Sequence, residues 1–289
     1  IRAWNIGSRL TIAVLTHKPC SHSSIRLMEE AVKLGVDCKL VSFSETALLL
    51  KKGVVRLKVF HDKGVRKVFS RPKTLLSPVM LYALSLTRIL EEEGFYVVNP
   101  FKGFMNTLDK MITYRNLCLR KLPIPDSLLT PSRRSIRETP PPFFLKPIYG
   151  SRGRGVRLVE SPNTLPILKP NGAWVVQAPA RDLNWDIRVL VLGGRVLAAI
   201  KRVSNKPVTN ISQGGSGEAF KVDGEAAELA VKASDSLGCV FAGVDMSFKD
   251  GEAFILDVNP QPDFMGVEKA TGVNVAREII RHMLSKVGE

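Results

Sequence analysis

The stretch that decides the fold is Phe241-Ala242-Gly243-Val244-Asp245-Met246-Ser247-Phe248, then Lys249-Asp250-Gly251, then Glu252-Ala253-Phe254-Ile255-Leu256-Asp257-Val258-Asn259. Two apolar runs rich in β-branched and aromatic residues flank a short polar turn. This pattern predicts an antiparallel hairpin with a three-residue loop and glycine in the left-handed position. In that register Asp245 and Asp257 project from one face, and Asn259, two residues further on, shares it. A carboxylate inside an otherwise apolar strand is costly unless it has a partner. Two carboxylates and an amide oxygen converging from adjacent strands are hard donors that suit Mg²⁺, above all where substrate phosphates complete the shell. The plainer alternative is that Asp257 and Asn259 finish a strand and open a turn before Pro260.

Upstream lies Lys146-Pro147-Ile148-Tyr149-Gly150-Ser151-Arg152-Gly153-Arg154-Gly155-Val156. A strand ends at Lys146 and a loop containing three glycines leads into the next strand. Glycine lets backbone N–H groups approach phosphate oxygens with no Cβ in the way. Lys146, Arg152, Arg154 and Arg157 are basic, and the segment has no acid. Lys146, Gly150, Ser151, Arg152, Gly153 and Gly155 are therefore candidate anion-binding residues that could hold a phosphate. The spacing matches neither GxGxxG nor GxxxxGK[ST]. A flexible hairpin with solvated arginines is the competing reading. Between these two segments, Asp186 and Arg188 share one face of a strand, and Lys201-Arg202 follows. Taken alone, that set reads as a surface ion pair on an edge strand.

The remainder of the chain bounds the answer. It has 289 residues, 45% hydrophobic and 24% charged, which excludes global disorder and a disulfide miniprotein. Lys and Arg total 42 against 27 Asp and Glu, for a net charge of +15, so some partner is expected to be anionic. Cys20, Cys38, Cys118 and Cys239 are scattered, with no metal-binding spacing, and read as reduced thiols. The apolar run Leu10 to Leu15 is too short for a signal or membrane segment, so a cytoplasmic location is expected.

The first third alternates strand and helix: strands at Leu10–Leu15, Cys38–Phe43, Val65–Ser70 and Phe95–Val98, and helices from Ser24, as cap, to Leu34 and from Pro78 to Glu93. That order predicts a small parallel α/β domain over 1–103. His17 and His22 follow the first strand, where a parallel sheet presents ligand-facing loops. His61 and His282 read as ordinary surface positions. A helix spans Leu108–Leu119, with Lys110 in its first turn. Pro123 to Pro142 reads as an irregular connector. Short strands with glycine turns follow, then a helix over Glu225–Leu237 and a terminal helix capped by Asn274.

These anchors, in this order, resemble the ATP-grasp superfamily and, within it, the RimK-like amino-acid ligases. The resemblance covers about 106–289. It rests on Asp109-Lys110-Met111, Lys146-Pro147, Gly150 to Val156, Asp186-Ile187-Arg188, Thr209-Asn210-Ile211, Gly214-Gly215, Gly243-Val244-Asp245, Asp257-Val258-Asn259-Pro260 and Gly266-Val267-Glu268 leading to Thr271-Gly272-Val273-Asn274-Val275-Ala276. More loosely it extends to Arg71-Pro72.

The resemblance implies an α/β (α+β) fold: a Rossmann-like pre-ATP-grasp domain at 1–103, a central ATP-grasp subdomain at 104–178, and a C-terminal subdomain with the Mg²⁺ site at 179–289. It implies that Lys110 and Lys146 contact ATP, that Gln177 and Ala178 form the adenine-binding linker, and that Asp186 touches the nucleotide. By the same resemblance Asp245, Asp257 and Asn259 hold Mg²⁺, two ions in all with Mn²⁺ as a substitute. Arg188 and Arg202 match positions that hold the γ-phosphate or acyl-phosphate, and Asn210 matches the loop over the phosphates. Lys201 is expected to converge with Lys110, Arg188 and Arg202.

The implied reaction joins a carboxylate to an amine through an acyl-phosphate, ATP becoming ADP and phosphate. Glutamate, or another amino acid, is the expected addition, to a small-molecule carboxylate or an acidic protein or cofactor tail. A homodimer or homotetramer is the family-level expectation. Three departures stand out: Asp257 where the family usually has glutamate, Val208 where a basic residue commonly precedes Thr-Asn, and a short segment between Val159 and Trp174. Two other readings compete. One is a degenerate ATP-grasp fold that binds nucleotide without catalysis. The other is a basic nucleic-acid-binding protein using Trp4, Trp174 and Trp185, although no basic region interleaves regularly with aromatics.

Overall fold

The computed structural model describes residues 11–72, 77–150, 153–168, 171–180, 185–203, 216–222 and 224–286. The chain forms two compact units, Ile1–Phe101 with Asn274–Glu289, and Lys102–Val273.

The first unit is built on a parallel sheet. Strand β1 (Thr11–Thr16) is buried along its whole length, as a continuous apolar run requires. It pairs in parallel with β2 (Asp37–Ser42) and with β5 (Val65–Arg71), which in turn pairs with β6 (Tyr96–Val98), in the order β2-β1-β5-β6. Helices α1 (His22–Lys33), α2 (Lys58–Asp62) and α3 (Pro78–Glu92) complete it. The cap of α1 is Ser21 rather than Ser24. Ser21 has extended backbone and its side chain accepts from the Ser24 amide, while Ser24 is already inside the helix and buried. A separate two-stranded hairpin, β3 (Leu48–Lys51) and β4 (Val54–Leu57), has no counterpart in the sequence reading. Its Lys52-Gly53 turn has positive φ at both residues, 48° and 75°, the geometry that matches strand twist.

The second unit opens with α4 (Phe101–Leu108) and α5 (Lys110–Leu119), the latter capped by the Asp109 carboxylate on the Met111 amide. An antiparallel sheet of β7 (Ser127–Thr130), β8 (Phe143–Pro147), β9 (Arg157–Val159) and β10 (Trp174–Gln177) runs in the order β7-β10-β8-β9. A second antiparallel sheet holds β11 (Trp185–Leu192), β12 (Arg195–Val203), β13 (Ser216–Ala219), β14 (Phe241–Lys249) and β15 (Glu252–Asn259), in the order β13-β12-β11-β14-β15. Helices α6 (Arg133–Glu138), α7 (Gly224–Leu237) and α8 (Met265–Thr271) accompany them. One apolar core joins Tyr114 and Leu117 of α5, Val175 of β10, Val189, Val244 and Ile255 of the five-stranded sheet, and Ala230 of α7. The terminal helix α9 (Val275–Ser285), capped by Asn274, packs in the first unit, where Arg277 bonds Glu30 of α1 at 2.8 Å.

Two further sequence expectations are corrected. The connector from Pro123 to Pro142 contains β7, paired with β10 through Leu129↔Val175, and α6, capped by Ser132 and burying Ile136. Partners distant in sequence organise it, and local composition is blind to them. The β14–β15 loop has two residues, not three: Lys249 pairs with Glu252, and Asp250 (φ 52°) and Gly251 (φ 83°) make the turn. Among the described residues no helix is long and apolar enough to cross a membrane.

Candidate functional site

The site is built on one face of the five-stranded sheet. Asp245 lies opposite Asp257 and Gly243 opposite Asn259, so the two carboxylates and the amide share a face across the β14–β15 ladder. A ladder irregularity follows Asp245, and the strands regain register at Met246↔Ile255. Asp257 Oδ1 accepts from the neighbouring Val258 amide at 3.1 Å. Asn259 Oδ1 accepts from the Gln261 amide at 2.9 Å, so this residue also opens the turn, as the plainer reading held. That turn folds back onto Gly243, where a Cβ would stand 2.8 Å from Pro262 Cβ.

The same face carries a row of four alternating charges on β12, β11 and β14. Arg202 makes a two-pronged bond to Asp186 (Nε–Oδ1 2.6 Å, Nη2–Oδ2 2.7 Å) and reaches Asp245 at 3.2 Å. Arg188 makes a second two-pronged bond to Asp245, both contacts 2.8 Å. Strand β11 is central, so Asp186 and Arg188 are not an edge-strand pair. Arg202 is 2% exposed. Burial alone would raise the Asp245 carboxyl; the guanidinium groups of Arg188 and Arg202 outweigh it and hold it below the usual carboxylate range. Burial likewise opposes the charge on Arg202, and Asp245 and Asp186 overcome it. Lys201 does not join this row. Adjacent to Arg202 on its strand, it projects from the opposite face, with Nζ 5.1 Å from the Trp185 ring centroid and 3.7 Å from Glu218.

The four-stranded sheet contributes a polar chain. Lys146 Nζ donates to Gln177 Oε1 at 2.5 Å, and Gln177 Nε2 donates to Ser127 Oγ at 2.9 Å. Gln177 lies beside Tyr114, whose hydroxyl donates to the Leu256 carbonyl at 2.8 Å, one residue before Asp257. Burial first, then the Asp257 carboxylate, push the Tyr114 phenol far above its ordinary range, so it remains a donor. The sequence reading passed over Tyr114. The available signal was its i+4 spacing from Lys110 on one helix face. The Ala178 amide bonds the Asp126 carbonyl at 2.9 Å. Lys110 Nζ reaches the Gly150 carbonyl at 3.4 Å, bringing α5 to the glycine loop. Gly153 and Gly155 have positive φ, 67° and 78°, and a Cβ on Gly155 would crowd the Pro147 ring at 3.3 Å. Ser151, Arg152, Asn210 and the departure Val208 lie outside the described residues.

The donor types suit Mg²⁺, two carboxylates and an amide oxygen on one face, and an ion there would share the Asp245 oxygens with Arg188. Among the described residues no group of three or more His, Cys, Asp and Glu comes together, so the ion would need the amide oxygen and oxygens from outside the protein. Of the tryptophans expected to stack on bases, Trp185 stacks on Phe248 at 5.4 Å and Trp174 packs against the small core that holds Ile136 and Leu145, while Trp4 lies outside the described residues.

The sequence model described as RimK-like ATP-grasp domain matches residues 109–283, more than half of the chain. The chain belongs to the RimK-like ATP-grasp family. Within that family's reach, a probable alpha-L-glutamate ligase of Rhodopirellula baltica is 29% identical over 292 residues, covering 96% of this chain and 72% of the relative. A coenzyme gamma-F420-2:alpha-L-glutamate ligase of Methanococcus maripaludis is 28% identical over 273 residues, covering 89% and 93%. Among solved structures, the ATP-grasp ligase PsnB complexed with minimal precursor superposes with a TM-score of 0.75 at 18% identity, covering 96% of this chain and 98% of that one. A RimK domain protein ATP-grasp from Sphaerobacter thermophilus gives 0.72 at 21% identity, covering 95% and 100%. The α/β ATP-grasp fold expected from sequence is thus the fold of this RimK-like protein.

Proposed function

We propose that this RimK-like protein is an ATP-dependent, ADP-forming ligase that joins a carboxylate to the amino group of an amino acid, with glutamate as the amino acid added. The observation that carries the proposal is the shared face of Asp245, Asp257, Asn259 and Arg188, in the same compact unit as Lys146 and the glycine loop. Oxygen donors and guanidinium side by side suit a metal-bound polyphosphate. The names of the curated relatives support glutamate as the amino acid. The acceptor is assigned by chemistry to an acidic small molecule, cofactor tail or protein tail, which the chain's net charge of +15 favours.

Roles follow from accessibility. Asp245, Asp257 and Asn259 would hold Mg²⁺, which when bound would supply neutralisation of oxyanion charge. Arg188 is the more open guanidinium, its side chain 19% exposed, and faces the transferring phosphoryl group. Arg202 is buried between Asp186 and Asp245 and acts as a positioning residue that fixes both. Lys146, oriented by Gln177, and Lys110 bind the nucleotide phosphates with the backbone amides of Gly150, Gly153 and Gly155. Ser151, Arg152 and Asn210 belong to the same set by resemblance. The protein contributes positioning and charge neutralisation, which account for most of the catalysis in phosphoryl transfer.

The test is ADP release over pairs of carboxylates and amines, with mass spectrometry of the products. ADP release should require Mg²⁺, an acid and an amino acid together, and product mass should rise by one or more amino-acid residues. ADP formed without any amide product, across pairs that include glutamate, would overturn the reading. Lys146→Ala should raise the KM for ATP at least about tenfold, since it removes a charge-assisted contact of ~1.5–3 kcal/mol. An unchanged KM would remove Lys146 from the nucleotide site.

A further inference from the structure

The β3–β4 hairpin is a surface with no part in the proposed chemistry. Its root is fixed. Leu57 and Phe60 are each 1% exposed and Leu48 packs against the core of the first unit. The Lys58 amide bonds the Ala47 carbonyl, the Leu57 amide bonds His61 Nδ1 at 3.1 Å, and Thr46 Oγ1 lies 2.8 Å from the Tyr82 hydroxyl of α3. Its head is bare. Leu49, Leu50 and Val54 are 52%, 68% and 63% exposed.

Register sorts these side chains. Leu49 pairs with Arg56 and Lys51 with Val54, and alternation puts all four on the face opposite the one that carries buried Leu57. Each rung of that outward face therefore holds one apolar and one basic side chain. From Leu48 to Lys58 there are four basic residues, Lys51, Lys52, Arg56 and Lys58, and no acid. Among the described residues no third strand joins the pair. Exposed strand edges bearing large apolar side chains are disfavoured in a free protein unless something uses them.

Charge complementarity selects the occupant. A second copy presenting the same face would set lysine against lysine. A nucleic acid would match the charge but leave Leu49, Leu50 and Val54 against a polyanion, and the hairpin has no aromatic side chain on which bases stack. A membrane surface is served by segregated apolar and basic faces rather than by the two interleaved on every rung. We propose that the β3–β4 hairpin is a docking site for an acidic polypeptide segment with apolar side chains, bound through the sheet edge and the Leu49/Val54/Lys51 face. This proposal stands apart from the ligase reading and survives or fails without it.

The experiment uses the full chain and a fluorescein-labelled peptide, EEVLVEE, with KKVLVKK and EESSSEE as controls. Fluorescence anisotropy should show both controls binding at least tenfold more weakly. The double variants Leu49→Thr/Val54→Thr and Lys51→Glu/Lys52→Glu should each weaken EEVLVEE at least tenfold, with an unchanged Tm. Hydrogen exchange should slow across 48–57 when the peptide is added. Equal affinity in both variants, or protection confined elsewhere, would overturn the proposal. So would a dimer in sedimentation that Leu49→Thr/Val54→Thr dissociates, because a second copy then covers the face. Displacement of the peptide by a DNA duplex or by anionic vesicles in a Leu49/Val54-dependent manner would overturn it in favour of those ligands.

Discussion

Two hairpins in this chain share one local design and have opposite surroundings. Lys52-Gly53 and Asp250-Gly251 both turn with positive φ at each residue, so each connects its strands in the tightest twist-matched way. The β14–β15 hairpin lies beside β11 in a five-stranded sheet and is buried on its core face, with Val244, Met246, Ile255 and Val258 hardly accessible. Among the described residues the β3–β4 hairpin pairs only with itself, and it leaves Leu49, Leu50 and Val54 exposed. Local geometry thus says nothing about role. In the enclosed hairpin, the buried Asp245 carboxylate is tolerable because guanidinium groups of β11 and β12 compensate it. In the bare hairpin, solvent screens the basic side chains, and the uncompensated feature is apolar area.

The contrast can be broken at its most enclosed point. Arg202→Met removes the shared partner of Asp186 and Asp245 and leaves buried carboxylates short of compensation. Stability at pH 7 should fall by about 3–5 kcal/mol, read as the denaturant midpoint with m unchanged. The pH dependence has a definite sign. Asp245 has a depressed carboxyl in the folded protein, so its contribution is present above its unfolded value, near about 4, and is lost as pH falls through the folded value. The difference between wild type and Arg202→Met should therefore narrow below about pH 4; a difference independent of pH would contradict the electrostatic account.

Asp257→Ala tests the same hairpin at its chemistry. It should lower Mg²⁺-dependent ADP release about 10²–10³-fold, a loss of the size seen when one preorganised charge-stabilising group is removed. Stability should change far less than in Arg202→Met, because Asp257 is only half-buried and lacks the two-pronged guanidinium bonds of Asp245. Turnover within twofold of wild type would take Asp257 out of the metal site. At the far end, Leu49→Thr/Val54→Thr in the bare hairpin should shift stability by less than about 0.5 kcal/mol by thermal melts, as exposed substitutions do. A clear destabilisation would mean that these side chains are used in folding rather than available for docking.

Much of the enclosed hairpin was legible because it obeys short-range rules. Alternation and a glycine turn placed Asp245, Asp257 and Asn259 on one face, and the observed register agrees because the irregularity after Asp245 offsets the shorter loop. The partners of those residues were less legible. Arg188 and Arg202 read as phosphate ligands, yet both are bonded to carboxylates on neighbouring strands, and Lys201 turns to the other face. Tyr114 escaped notice because a buried aromatic in a helix looks like core until its hydroxyl is seen on the Leu256 carbonyl. The β7 strand and α6 helix were read as a connector because Pro, Ser and Arg dominate the stretch, while the pairing that orders it comes from β10.

The sequence by itself determined the parallel order of the first unit, the antiparallel hairpin with its oxygen donors, the glycine loop and the family. The elements rest on periodicity and turn spacing, which act over a few residues, and the family on the resemblance of its ordered motifs. Tertiary structure alone decided which cation faces which carboxylate, that Arg202 is buried between Asp186 and Asp245, and that one hairpin is enclosed while its twin is left bare. Those outcomes depend on which strands become neighbours, and pairing between strands far apart in sequence leaves no local trace.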